Sequence, residues 1–168
     1  MTTPEGSARA LDPFLRADVG HPSAVGRRRR RTYDNLDLAR CHQLLATHHV
    51  GRVAWSAADG PQLFPVSYAW IDECVIFRTS PYGILSELVR RTPVVFEVDE
   101  IDQSRRRGWS VIIRGRAAGV AGPGPATGTT TDTARPWADG NRNLIIGVTA
   151  QQITGRTFYP LDGGDPFP

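Results

Sequence analysis

The apolar positions along the chain follow two different periods. Between Leu38 and Leu45 they recur every three or four residues, as they do on one face of an α-helix. Asp37, a residue type that caps helix N-termini, precedes this segment, and the helical spacing continues to about His48. From Gly51 onward apolar and polar residues alternate, which is the period of a β-strand. One amphipathic helix followed by β-strands is therefore predicted.

The alternating segments are short, and residues typical of turns separate them. They read GRVAWS, QLFPVSYAW, CVIFRT, PVVFEVD, GWSVIIRGRAAGV and NLIIGVTAQQITGR. Asp59-Gly60 and Ile71–Glu73 predict hairpin turns between the first three strands. A short helix is predicted at residues 81–91. The pattern predicts a mainly β fold, a small six-stranded antiparallel barrel with a few short helices, because closure leaves few free strand edges.

The two ends of the chain lack this periodicity. Residues 1–32 are rich in Pro, Gly, Ala and Arg, a composition that predicts a disordered leader. Residues 33–158 are predicted to form one globular domain, and residues 159–168 a C-terminal tail. Inside the domain, the segment GPGPATGTTTDT predicts a flexible loop, and a short turn is expected near residues 136–140.

The basic residues are all arginine and are unevenly distributed. Residues 1–35 carry seven arginines against four acidic residues, so this segment alone accounts for the net charge of +3. We interpret the Arg27–Arg31 run as part of a solvated tail, so nucleic acid is not expected as a partner. If nucleic acid or an acidic lipid did bind, this run is where it would do so. The absence of lysine excludes Schiff-base chemistry with a lysine.

The sequence predicts a cytoplasmic protein without a metal site. It contains no run of 18 apolar residues and no signal-peptide pattern, so no membrane association is expected. Cys41 and Cys74 are too few for a disulfide scaffold, and no histidine has companion ligands at metal spacing. No nucleophile-elbow, P-loop or dinucleotide-fold motif is present.

The segment after the third predicted strand could bind a phosphate group. Arg78, Thr79 and Ser80 place a guanidinium and two hydroxyl groups at a strand end, just before the predicted helix. Ser80 is a suitable N-cap and Pro81 a suitable first helical residue, so the N–H groups of the helix start would point at the same place. An ordinary capped helix with a solvated arginine explains the same residues.

Two further segments could contact a planar ligand. Pro65 has no N–H, so it cannot donate a hydrogen bond to a neighbouring strand. The backbone groups of Val66 and Ser67 could then be free to bind a ligand. The alternative is that Pro65 only marks a bend at a corner of the barrel. Trp109 lies at the start of a predicted strand, where its side chain and that of Ser110 point to opposite faces. The Trp109 side chain could therefore pack in the core or lie beside a planar cofactor. Glu97 and Asp99 are expected on a solvent or subunit face, with no catalytic role.

Several segments together resemble one known family. ARCHQLLATHHVGRVAW, PQLFPVSYAW, CVIFRTSPYG, VVFEVDEID, GWSVIIRGRA and ITGR occur in the order and spacing of the pyridoxamine 5′-phosphate oxidase-like proteins, and they cover about residues 35–157. The resemblance implies an FMN-binding split barrel that is a homodimer and acts as an FMN-dependent oxidoreductase on a small-molecule substrate. It leaves open a deazaflavin-dependent reductase and a non-catalytic flavin- or haem-binding protein.

The resemblance also assigns residues to the cofactor. It implies that Val66 and Ser67 contact the flavin ring by their backbone and that Arg78, Thr79 and Ser80 hold the phosphate. Trp109 and Ser110 would lie near the ring or the ribityl chain, across the subunit boundary. The full set of implied contacts is Val66, Ser67, Arg78, Thr79, Ser80, Leu85, Trp109 and Ser110. No catalytic residue and no substrate are assigned.

One departure from the family pattern concerns the phosphate. Many relatives have a lysine five or six residues after the strand that ends at Thr79, whereas this chain has Ile84 and Leu85 there. A hydrogen bond to a charged group contributes roughly 1.5 to 3 kcal/mol, so its loss weakens FMN binding unless another arginine replaces it. The complete set of pyridoxamine phosphate contacts is also missing, so pyridoxamine oxidation is not predicted.

Overall fold

The computed structural model describes residues 33–120 and 141–160. The strands are Tyr33–Leu36 (β1), Val50–Ala57 (β2), Gly60–Ile71 (β3), Cys74–Thr79 (β4), Thr92–Asp102 (β5), Arg107–Gly119 (β6) and Leu144–Phe158 (β7). Helix α1 covers Leu38–Thr47, and a 3₁₀ helix covers Ile84–Arg90. The predicted leader, the loop within residues 121–140 and most of the tail lie outside the described residues.

Six of the strands close into an antiparallel barrel. The order is β7-β4-β3-β2-β5-β6, and β6 pairs with β7 again, which confirms the predicted fold class. The strand β1 was not predicted, and it pairs with the end of β7 from Tyr33 opposite Phe158 to Leu36 opposite Gly155. Its four residues are mostly exposed, so no apolar alternation marks them in the sequence.

The barrel interior is filled by the inward-facing side chains of the six barrel strands. Fully buried examples are Val53, Tyr68, Val75, Phe77, Phe96, Val98, Val111, Ile113, Ile146 and Val148. Helix α1 packs Cys41, Leu44 and Leu45 onto this core, and its cap is the predicted one, because Asp37 accepts a 2.7 Å hydrogen bond from the Arg40 N–H. The buried Tyr68 hydroxyl donates to the Leu45 carbonyl oxygen at 2.9 Å, which joins the helix to β3.

The helix predicted at residues 81–91 begins later than expected and is a 3₁₀ helix. It starts at Ile84, and its N-cap Gly83 has no side-chain hydrogen bond. The Ser80 hydroxyl accepts from the Tyr82 N–H at 3.2 Å, and the Ser80 carbonyl accepts from the Gly83 N–H at 3.3 Å. The prediction that Ser80 caps a helix starting at Pro81 is therefore wrong, because Ser80 closes a tight turn before the helix begins.

The barrel is open on one side. Strands β2 and β5 share only three paired positions, from Arg52 opposite Glu97 to Ala54 opposite Val95. Toward its C-terminal end, from Trp55 to Ala57, β2 pairs with β3 alone. The wall between β2 and β5 is consequently split beyond Ala54.

Candidate functional site

The strand register brings two of the predicted cofactor contacts side by side. The β3–β4 ladder ends with Tyr68 opposite Phe77. Continuing this register by one residue places Ser67 opposite Arg78, where the two strands separate. Both side chains are half-buried and alternate with buried neighbours, so they face the outside of the barrel. The hypothesis that these segments share one site is thus consistent with the fold.

Ser110 lies on the same line around the barrel. Ser67 pairs with Val50, and Ser110 pairs with Asp99. The pairing of Arg52 with Glu97, continued by two residues, sets Val50 next to Asp99. Neighbouring strands lie about 4.8 Å apart, so Ser67 and Ser110 are about 14 Å apart along the surface. We call this line the outer row; its members are Arg78, Ser67, Val50, Asp99, Ser110 and Arg156.

Strand β3 has a free edge at the outer row. From Gly60 to Ser67 it pairs with β2 only, because its ladder with β4 begins at Tyr68. The Tyr68 N–H points toward β2, where it donates to the His49 carbonyl at 2.9 Å. Since N–H direction alternates along a strand, the Ser67 N–H points to the free edge and the Val66 N–H points to β2.

The two prolines of β3 fit this geometry. Pro61 and Pro65 occupy the alternating positions at which an N–H would point to the free edge, so neither removes a ladder hydrogen bond to β2. Pro65 is therefore accommodated without a break in the strand. A free edge blunted by two prolines offers few donors to another strand, and the Ser67 N–H is one of those that remain.

Three of the predicted contacts point into the barrel. The side chains of Val66, Thr79 and Trp109 are 8%, 2% and 6% exposed. A ligand on the outer surface could reach these residues by their main chain, but not by their buried side chains. Leu85 is half-buried against the core cluster. The structure therefore brings Ser67, Arg78 and Ser110 onto the outer row and leaves the other contacts beneath it or beside it.

The Ser80–Gly83 turn continues from Arg78 at the end of β4. Its most exposed side chain is Tyr82, at 92%, and Ile84 directly after the turn is 37% exposed. The helix-start N–H groups expected to bind phosphate at Pro81 are not available, since the chain forms a turn there. The polar side-chain groups of this corner include the Arg78 guanidinium and the hydroxyls of Ser80 and Tyr82.

An ion cluster includes Asp99 of the outer row and two residues next to that row. Arg52 Nη1 donates to Glu97 Oε2 at 2.9 Å and also to Asp99 Oδ1. Burial raises the pKa of the Glu97 carboxyl, and its hydrogen bond to Arg52 counteracts part of that rise. The hydrogen bonds that Arg52 donates to Asp99 and Glu97 raise the pKa of its guanidinium. These acids lie on the outer face, as predicted, and pair with an arginine.

A cleft of about 460 Å³ opens at the split between β2 and β5. Sequence reasoning missed it, because no local motif marks the point at which two strands of a barrel separate. None of the eight predicted contacts lines the cleft. Its lining residues are Ala54, Trp55, Ser56, Pro61, Gln62, Pro93, Val94, Val95, Arg114, Gly115 and Gln151.

Within residues 33–120 and 141–160, no group of three or more His, Cys, Asp or Glu side chains is placed to hold a metal ion. In the same part of the chain, no helix is long and apolar enough to cross a membrane.

The closed antiparallel barrel with one split wall and a free β3 edge defines the class of split β-barrel proteins. The family model described as pyridoxamine 5′-phosphate oxidase matches residues 37–163. The chain belongs to this family. It is also 30% identical over 125 residues to an uncharacterized protein of Mycobacterium tuberculosis, a match that covers 71% of this chain and 82% of that protein.

Solved structures with the same fold include two at 25% identity or more. A FAD-binding protein from Mycobacterium smegmatis is 28% identical and has a TM-score of 0.59; the match covers 75% of this chain and 98% of that protein. A conserved protein of unknown function from Corynebacterium diphtheriae is 25% identical with a TM-score of 0.61, and the match covers 76% of this chain and 99% of that protein.

Proposed function

We propose that the protein binds a flavin nucleotide on the outer row and acts as an FMN-dependent oxidoreductase on a small-molecule substrate. The observation that carries the proposal is the free β3 edge at Ser67, beside Arg78 at the end of β4. The pyrimidine edge of a flavin presents donors and acceptors that main-chain groups match. The similarity to the FAD-binding protein of Mycobacterium smegmatis supports this cofactor class.

The residues present fit a flavin nucleotide. The Ser67 N–H at the free edge would bind the pyrimidine edge, with Val66 supporting it from the core side. Arg78 and the Ser80 hydroxyl would hold the phosphate, and the Thr79 and Leu85 backbone would border it. Ser110 would contact the ribityl chain across the subunit boundary of a homodimer, because within one chain it lies on the far side of Ser67 from Arg78. When bound, a flavin accepts and donates hydride, and the chain supplies binding, orientation and exclusion of water.

We further propose a homodimer that covers the apolar outer face of the barrel. Leu63 is 62% exposed, Val50 43% and Val95 38%, and Ile112 lies on the neighbouring strand β6, opposite Glu97. In a monomer these apolar side chains would contact water around the Arg52–Glu97–Asp99 cluster, and apolar surface mixed with charged groups in this way is what a subunit interface would cover. Light scattering should give twice the 18.4 kDa chain mass, and Val95→Arg should shift the mass to that of the monomer. A wild-type monomer at micromolar concentration contradicts this proposal.

The identity of the cofactor is tested by purifying the protein, recording its visible spectrum and measuring the mass of any released molecule. A flavin spectrum that bleaches with a hydride donor and recovers with an electron acceptor supports a flavin-dependent oxidoreductase. A released deazaflavin would instead indicate a deazaflavin-dependent reductase. A bound flavin or haem that undergoes no turnover would indicate a non-catalytic binding protein, the alternative that Ile84 at the lysine position leaves open. The cytoplasmic location expected from the sequence stays a prediction.

A further inference from the structure

The cleft between β2 and β5 has the size and the surface of a small-molecule site. Its volume of about 460 Å³ is within the range of roughly 300 to 1,000 Å³ that such sites occupy. Pro61 on β3 and Pro93 on β5 contribute ring faces from the two sides of the split, and the indole of Trp55 lies in the lining with them. The Trp55 Nε1 atom lies 3.4 Å from Glu87 Oε2 on the 3₁₀ helix, so the indole's single donor has a partner there. The cleft therefore offers flat apolar surface to a ligand.

Arg114 is the only charged side chain that lines the cleft in the part of the chain that the structure describes. It is exposed on the outer face of β6, and its paired neighbours are the neutral residues Val95 on β5 and Gln152 on β7. Its Nη1 atom lies 3.4 Å from Gln152 Oε1, which is a long contact to an uncharged group. Among residues 33–120 and 141–160, no carboxylate forms an ion pair with Arg114.

Other arginines on the same outer face show that this lack of an acidic partner is local. Arg52 on β2 is paired with two carboxylates of β5. Arg116, two residues after Arg114 on β6, donates to the Arg91 carbonyl oxygen at 3.3 Å, so it too contacts an uncharged group. The β6 end of the cleft thus carries positive charge that the neighbouring side chains do not neutralise. A guanidinium in this situation binds a carboxylate through two parallel hydrogen bonds.

We propose that the cleft is a second ligand site, which binds a small aromatic carboxylate with its ring on the apolar lining and its carboxylate on Arg114. A single guanidinium fits a monoanion, and the other polar side chains of the lining are uncharged: they are Ser56, Gln62 and Gln151. A planar aromatic ring covers flat surfaces of this kind, and its burial supplies binding energy.

The cleft is separate from the flavin site within one chain. Pro61 precedes Ser67 by six residues on the extended strand β3, which corresponds to about 20 Å. The flavin is proposed to extend from Ser67 toward Arg78 on β4, away from the split. Val95 belongs both to the cleft and to the apolar face assigned to the dimer, so the ligand would lie at the border of that face.

The test is a calorimetric titration of the full-length protein with 2-naphthoate and with its uncharged analogue 2-naphthamide. The wild-type protein should bind 2-naphthoate at least about tenfold more tightly, since a hydrogen bond to a charged group contributes a factor of about ten or more. Arg114→Gln should remove this preference by weakening 2-naphthoate at least about tenfold, with 2-naphthamide within about twofold of wild type. Ala54→Leu adds volume to the lining and should weaken both ligands by similar factors.

Arg105→Gln is the matched control, because it removes a positive charge in the exposed β5–β6 turn and should leave both affinities unchanged. Arg114→Gln changes an exposed side chain, so its melting temperature should match that of the wild-type protein. No binding of 2-naphthoate at millimolar concentration, or an unchanged preference for it in Arg114→Gln, would overturn the second site. The same variants should bind FMN as the wild-type protein does. Loss of FMN binding by the wild-type protein, with 2-naphthoate still bound, would overturn the proposed function alone.

Discussion

The imidazole ring of His48 lies edge-on against the indole of Trp109, with 4.7 Å between the ring centroids. His48 directly follows α1, and its Nδ1 atom lies 2.8 Å from the Leu44 carbonyl oxygen, which holds the ring in place. Trp109 belongs to β6 and points into the barrel, so the contact joins the helix end to the barrel wall. The sequence allowed the Trp109 side chain either in the core or beside a cofactor, and in the structure it packs in the core.

We expect Trp109→Ala to lower the free energy of unfolding by about 3 to 5 kcal/mol, because it removes a buried aromatic side chain and leaves a cavity. His48→Ala removes the ring contact and the Nδ1 contact to the Leu44 carbonyl, but water can replace polar contacts at this partly exposed residue, so it should cost about 0.5 to 1.5 kcal/mol. Urea denaturation of the two variants and the wild-type protein measures both values. Trp109→Ala as stable as His48→Ala would show that the indole does not belong to the core.

Arg78→Ala should weaken the binding of phosphate-bearing flavins. The expected loss for FMN is about 1.5 to 3 kcal/mol, the range for a hydrogen bond to a charged group, and riboflavin should lose much less because it has no phosphate. Arg105→Ala, in the exposed β5–β6 turn, is the matched control for a lost positive charge. Equal losses for FMN and riboflavin, or no loss for either, would remove Arg78 from the phosphate contacts.

The β3–β4 turn stores backbone strain at Glu73. Asp72 and Glu73 both have positive φ, 49° and 59°, in the two-residue turn between Ile71 and Cys74. Such turns favour Asp-Gly, because only glycine adopts the second position without a Cβ clash. Glu73→Gly should therefore stabilise the protein by about 1 kcal/mol. Thermal unfolding shows whether Glu73→Gly raises or lowers the stability of the protein. A lower melting temperature would mean that losing the weak His42–Glu73 contact at 3.9 Å costs more than the relieved strain contributes.

Gly115 marks the irregularity at which β6 shifts its register against β7. The shift lies between Arg114 and Gly115, and a Cβ at Gly115 would overlap the Thr149 carbonyl oxygen, which is backbone and cannot rotate away. Gly115→Ala should cost about 1 to 3 kcal/mol. At Gly83 the nearest atoms to an added Cβ are 3.8 Å away, so Gly83→Ala should be nearly neutral. Similar denaturation midpoints for the two variants would count against the tight approach at Gly115.

The helix at residues 81–91 shows where a local signal misleads. Ser80 followed by Pro81 is a sound helix start by residue type, but the same serine can close a turn with its hydroxyl and carbonyl. The second option prevails here, and the 3₁₀ helix begins at Ile84 instead. Both conformations satisfy the Ser80 hydroxyl, so the choice between them depends on how the chain leaves β4 and packs Leu88 into the core.

The sequence by itself determined α1, its Asp37 cap, the positions of six strands and the faces that point inward, because helix capping and side-chain alternation are local properties of the chain. Only the tertiary structure decided that Ser67, Arg78 and Ser110 share the outer row, that β1 pairs with β7, and that β2 and β5 separate to form a cleft. These features depend on the register between strands distant in sequence. That register is set by closing and packing all six strands at once, and no single segment carries it.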